Sequence, residues 1–178
     1  AGRTPGLMAD PPPFVLQRQL GNFAVVYQLN IYKAEAKALV RAYSAQRQYA
    51  QARAELATLM KAMPDAAPVH IELGMVNLRE GQLPAARTAF ERALALDARS
   101  IEALTGLTAV DVSEKKIDAA RKRIAERLAS APQDSRLLVL SARTALADRD
   151  SRDAEASLRR AIEADAANLD AYALLGQL

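Results

Sequence analysis

The feature that most restricts the fold of this 178-residue chain is a self-similarity at one fixed interval, the step from Ala52 to Ala86. Ala52, Ala86, Ala120 and Ala154 fall in one column, and Leu56, Phe90, Ile124 and Leu158 fall in another, with no gap needed. A third column reads Leu39, Leu73, Leu107, Ser141 and Leu175, and a closing column reads Pro64, Ala98, Pro132 and Ala166. A fixed period of a few tens of residues marks a solenoid, in which each unit buries its apolar face only by stacking on its neighbours. The units run 33–66, 67–100, 101–134 and 135–168, with a fifth begun at Leu169.

Half the residues are hydrophobic, aromatics are 4%, and alanine is abundant, a balance that suits closely packed helices better than an aromatic-rich sheet core. The columns have physical reasons. Small residues at Gly74, Thr108, Ala142 and Gly176 allow the first helix of a unit to approach the second, and the alanine column does so from the facing side. Leu56, Phe90, Ile124 and Leu158 are then expected to fill the space between units. Pro64 and Pro132 stop helices, and Asp97, Asp134 and Asp165 suit the turns.

The pattern Leu73-Gly74, Arg79-Glu80-Gly81, Ala86, Phe90, Ala93-Leu94 and Leu96-Asp97 resembles the tetratricopeptide-repeat (TPR) family, and the likeness covers residues 33–178. The resemblance implies an all-α, right-handed α-α superhelix of helical hairpins, with four full repeats and one further helix. First helices would line a concave groove that binds an extended peptide or a partner helix, and second helices would face outward. In this reading the chain is a non-enzymatic protein-interaction scaffold without cofactor or metal. The alanine- and arginine-rich style of the repeats also resembles that of bacterial envelope and exopolysaccharide-export assemblies.

The exposed side of the first helices is expected to carry Lys37 and Arg41, then Ile71, Met75 and Arg79, then Thr105 and Ala109, then Arg136, Val139 and Arg143. Of these, Lys37, Arg41, Ile71, Met75, Arg79, Arg136, Val139 and Arg143 are the candidate partner-binding residues: the cations for acidic stretches of a partner, the others for apolar contact. Chaperone-binding members of the family hold a peptide's terminal carboxylate with a lysine and asparagines, and Lys37 matches the lysine. Arg41 stands where an asparagine is expected and Glu72 where the next unit would supply another, so that clamp is not expected here.

Other chemistry finds little to stand on. There are no cysteines, and His70 is the sole histidine, so thiolate sites and a histidine pair are ruled out, and a serine–histidine–acid arrangement cannot be completed in the usual way. A packing or capping role is expected for His70. The glycines form no phosphate-binding loop. Glu91, Asp97, Glu155 and Glu163 read as partners in helical ion pairs on outward faces. The densest basic run, Lys115, Lys116, Arg121, Lys122, Arg123 and Arg127, is interleaved with Asp111, Glu114, Asp118 and Glu126 and carries no aromatic for base stacking. A solvated convex face is expected there, not a nucleic-acid site. Net charge is +3, from 24 basic and 21 acidic residues, which implies no strong electrostatic partner.

Residues 1–32 depart from the repeat. Pro11, Pro12 and Pro13 are consecutive, and Phe23, Val25, Tyr27, Leu29 and Ile31 alternate after a Gly21-Asn22 turn signal, which predicts an extended or hairpin segment. A helix is the rival, since Leu20, Phe23, Ala24, Tyr27 and Ile31 share one helical face. The run from Asp10 to Gln17, followed by Leu20-Gly21-Asn22-Phe23 and Tyr27 to Tyr32, resembles part of the cytosolic domain of the small-conductance mechanosensitive channel family. The resemblance implies, as an alternative function, a soluble fragment of a channel-like membrane protein whose repeats recruit regulators.

No stretch is long and apolar enough to span a membrane, so membrane association would need further segments. The chain begins without methionine and stops at Leu178 within a helical stretch, so both ends read as cut and the compartment stays open between bacterial cytoplasm and envelope. An open C-terminal end would expose Tyr172 and Leu175, making self-association a second expected use of the surface.

Overall fold

The computed structural model describes the backbone of residues 22–178 and the side chains from residue 34 onward. Among the described residues every regular element is a helix: α1 (Asn22–Ala45), α2 (Tyr49–Ala62), α3 (Ala67–Glu80), α4 (Leu83–Leu96), α5 (Ile101–Ser113), α6 (Ile117–Ser130), α7 (Ser135–Ala147), α8 (Ser151–Ala164) and α9 (Leu169–Leu175). They form an α-α superhelix of antiparallel hairpins, α1–α2 to α7–α8, with α9 stacked on the last.

The turns repeat as strictly as the core. Within each hairpin one residue takes the left-handed conformation: Arg47, Gly81, Lys115 and Arg149, with φ of 59°, 82°, 60° and 63°. The amide of the next residue then donates to a carbonyl five residues back, Gln48 to Tyr43, Gln82 to Asn77, Lys116 to Asp111 and Asp150 to Ala145. This closes each first helix and reverses the chain. Between hairpins, Ser100, Asp134 and Asn168 cap α5, α7 and α9 with their side-chain oxygens, whereas Ala66, at the same place before α3, offers none.

The four alanines of the first column are fully buried, and Leu56, Phe90, Ile124 and Leu158 are nearly so. Phe90 shows why small residues are needed opposite them. Its ring lies against both α3 and α5, and a Cβ added at Gly74 would stand 2.6 Å from its Cε1, with one at Gly106 closer still. Gly176, expected to serve the same approach, is exposed, and a Cβ there would meet only carbonyls of its own helix. His70 is buried, with Nε2 2.8 Å from the Pro64 carbonyl, so it ties the start of α3 to the end of α2.

Successive first helices, α1, α3, α5 and α7, pack directly on one another, while second helices reach the next unit through its first helix. The row with the closer neighbours is the inner row of the curve, so the first helices form the concave face.

The extended strand expected over Phe23 to Ile31, the second arm of the hairpin, is not formed. These residues are helical and run without a break into the rest of α1. The rival periodicity of Phe23, Ala24, Tyr27 and Ile31 prevails, since a helix satisfies its backbone internally and an isolated two-stranded hairpin is marginal. Residues 1–21, including the triple proline and Phe14 to Leu20, lie outside the described residues.

Candidate functional site: the concave groove

A groove of about 540 Å³ opens between the first helices of the central units. Its apolar floor is Ile71 and Met75 of α3 with Ile101, Thr105 and Ala109 of α5, and its rim carries Arg41, Arg79, Glu102 and Arg136. A smaller hollow of about 180 Å³ continues it toward the C-terminal end, sharing Ile101, Thr105 and Arg136 and adding Val139, Arg143 and Asp170. The helical repeat explains the arrangement: positions four apart on one first helix stack, and the same positions one unit later face the same side.

Seven of the eight candidate partner-binding residues lie along this surface: Arg41, Ile71, Met75, Arg79 and Arg136 in the larger hollow, and Arg136, Val139 and Arg143 in the smaller. Val139 is buried, so it supports the floor more than it offers contact area. Lys37 lines neither. It borders a separate hollow of about 160 Å³ beside Leu59, Met63 and Val69. Ile101, Leu78 and Glu102 were not singled out by sequence; they sit at a helix start or turn away from the central column of the face.

Pairing with carboxylates changes the weight of the cations. Glu72, buried on α3, accepts from Arg41 Nε at 3.0 Å, and its Oε1 lies 2.7 Å from Arg41 Nη2 and 3.4 Å from Lys37 Nζ. Arg143 Nη2 stands 3.3 Å from Asp170, and Arg136 Nη2 3.7 Å from Asp134. Arg79 is exposed in the last turn of α3, and among the described residues it has no carboxylate in ion-pair reach.

The outward face is laced by a periodic ladder. Arg53, Arg87 and Arg121, equivalent positions on successive second helices, pair with Glu80, Glu114 and Asp148 at the ends of the next first helices. At the following position stands Glu155, which pairs instead with Arg159 of its own helix. Around Arg87 the ladder thickens into a cluster. Arg87 Nη2 lies 2.6 Å from the fully buried Asp111 and 2.9 Å from Glu114, Arg123 pairs with Asp111, and Lys116 Nζ lies 2.7 Å from Glu114.

The Arg87 guanidinium is held above its ordinary value, chiefly by its hydrogen bond to Asp111. Glu114 is held below the usual carboxylate range by hydrogen bonds from Lys116 first and Arg87 second. Four members of the basic run are thus engaged within the protein: Lys116, Arg121 and Arg123 in ion pairs, and Arg127 with the Ala98 carbonyl. Their pairing partners are the interleaved acids Asp111 and Glu114 and, across the next hairpin, Asp148.

Among the described residues no helix is long and apolar enough to cross a membrane, and no comparison supports the channel resemblance of the N-terminal segment. Comparison with curated protein sequences finds no match. The family model described as tetratricopeptide repeat matches residues 77–144. Among solved structures, a thermophilic TPR protein from Thermus thermophilus is similar at 16% identity, with a TM-score of 0.67 over 86% of this chain and 93% of that one. YrrB, described as a TPR protein with an unusual peptide-binding site, is 19% identical, with a TM-score of 0.57 over 78% of this chain and 71% of that one. MamA from Desulfovibrio magneticus RS-1 is 20% identical, with a TM-score of 0.53 over 80% and 82%. The matched segment, residues 77–144, is tetratricopeptide repeat, and the turns, alanine columns and hairpins recur at the same interval on both sides of it, in the fold of the tetratricopeptide-repeat structures that the chain resembles.

Proposed function

We propose that the chain is a non-enzymatic protein-interaction scaffold whose concave groove takes an extended peptide or a helix of a partner protein. Support comes from the continuous hollow over Ile71, Met75, Ile101, Thr105 and Ala109. Its size falls within the few hundred to about 1,000 Å³ of typical binding clefts, and its floor offers apolar contact while the rim carries charge. Arg79 is the cation best placed to meet an acidic partner residue, because among the described residues no carboxylate competes for it. Arg136 and Arg143 extend the basic lean toward the C-terminal end, each shared with an acid of the chain itself. YrrB, a protein of the same fold, has a peptide-binding site by its description.

The test is selection of peptides from a random display library on the intact chain, followed by affinity measurement with two variants. Thr105→Arg, which fills the hollow, is expected to weaken the selected peptide at least roughly tenfold, a loss of about 1.4 kcal/mol. Glu126→Arg on the exposed face of α6 is expected to leave it unchanged. Equal effects of the two variants, or tolerance of Thr105→Arg, would place binding elsewhere.

A further inference from the structure

Lys37 and Arg41 stand one turn apart on α1, and no later unit repeats the pair: the corresponding positions are Ile71 and Met75, Thr105 and Ala109, and Val139 and Arg143. Two cations at that spacing make a natural seat for a carboxylate. The seat is already taken. Glu72 reaches into it from α3 with its side chain only 8% exposed, and Arg41 directs both Nε and Nη2 at the same oxygen, Oε1. Glu72 is itself singular, since the same position in later units is Gly106, Leu140 and Leu174. Packing therefore does not demand a carboxylate at this place in the repeat; the cation pair does. Glu72 also borders both the main groove and the hollow beside Lys37, so it stands between the two.

We propose that Glu72 is a specificity-determining residue of the concave face: its carboxylate fills the Lys37–Arg41 pair from within and closes that end of the groove to acidic side chains of a partner. An incoming carboxylate would find the edge of the Arg41 fork in use and a like charge a few ångströms away. The acid of an acidic peptide is then read at Arg79, and the Lys37–Arg41 end accepts neutral residues. The inference rests on the concave face being the binding face.

The probe is acetyl-Asp-Asp-amide, titrated into the nitrogen-15-labelled full chain while the Arg41 Nε–H signal is followed by NMR. In the wild type this signal is expected to stay in place. In Glu72→Gln it is expected to move saturably, with an affinity at least roughly tenfold above any wild-type response. Glu72→Leu, which installs the residue type found at positions 140 and 174, is the second variant should the amide disturb folding. Equal titration in wild type and variants, or an unmoved Arg41 signal in a folded variant, overturns the proposal. Saturable movement in the wild type overturns it without any variant. Failure of the display selection would remove the groove reading and leave this titration as it stands.

Discussion

The Phe90 ring lies so close over the Cα of Gly106 that no side chain, not even a methyl group, fits between them. Gly106 lies outside the small-residue column of the repeat, so its smallness answers one ring at one interface. Gly106→Ala is expected to lower stability by about 1–3 kcal/mol despite a helix-propensity gain near 1 kcal/mol, because the buried ring has no room to retreat. Urea unfolding reads the loss. In a Phe90→Leu background the same substitution should cost at least about 1 kcal/mol less; strict additivity would show that the ring is not the obstacle.

Ala66 is the uncapped start among the first helices of the later units. Ser100, Asp134 and Asn168 at the equivalent places accept from the amide two or three residues on. Ala66→Asp is expected to raise stability by about 1 kcal/mol, through the new hydrogen bond and the favourable charge at a helix N-terminus. A thermal midpoint at or below that of the parent would contradict it.

Three of the four hairpin turns put a side-chain-bearing residue at positive φ, and only Gly81 suits that geometry. Arg149→Gly removes the steric cost of the left-handed region at an exposed site that makes no ion pair among the described residues, for an expected gain of about 0.5–1 kcal/mol after the extra freedom of the unfolded chain is subtracted. Gly81→Ala should lose a similar amount. Chemical denaturation of the two variants checks both signs together.

Glu114 ionises more readily in the folded chain than in the unfolded one, because Lys116 and Arg87 donate to its carboxylate. Its contribution to stability is therefore complete above the unfolded value, about 4.3, and disappears as pH falls through the lower folded value. Glu114→Gln should be less stable than the parent at neutral pH, and the difference should close progressively below about pH 4.3. Unfolding midpoints of both chains across that range decide the matter; a difference of constant size would assign the effect to packing.

Much of the fold was legible because a solenoid places equivalent residues in equivalent surroundings. The alanine column and the large residues that follow it are buried in the same way one unit later, so the repeat interval is itself a record of contacts. The faces of the first helices were legible for the same reason, as positions four apart within a helix and one unit apart between helices. The segment 22–32 was harder, since alternating apolar residues and a helical face coexist there, and in the structure it forms the first part of α1.

Only the tertiary structure decided how charges meet across units. Glu72 closing on Lys37 and Arg41, Asp111 buried between Arg87 and Arg123, and the ladder from Arg53 through Arg121 join residues whose separation follows from the angle between neighbouring helices. Periodicity tells that a side chain faces outward or inward; it does not tell which long, flexible side chain reaches which oxygen. Sequence by itself determined the repeat, its turns and its concave face, because those depend on backbone geometry and side-chain size recurring at one interval. Which cations on that face remain open to a partner was decided by packing, because a charge is neutralised by what folding brings within about 4 Å of it.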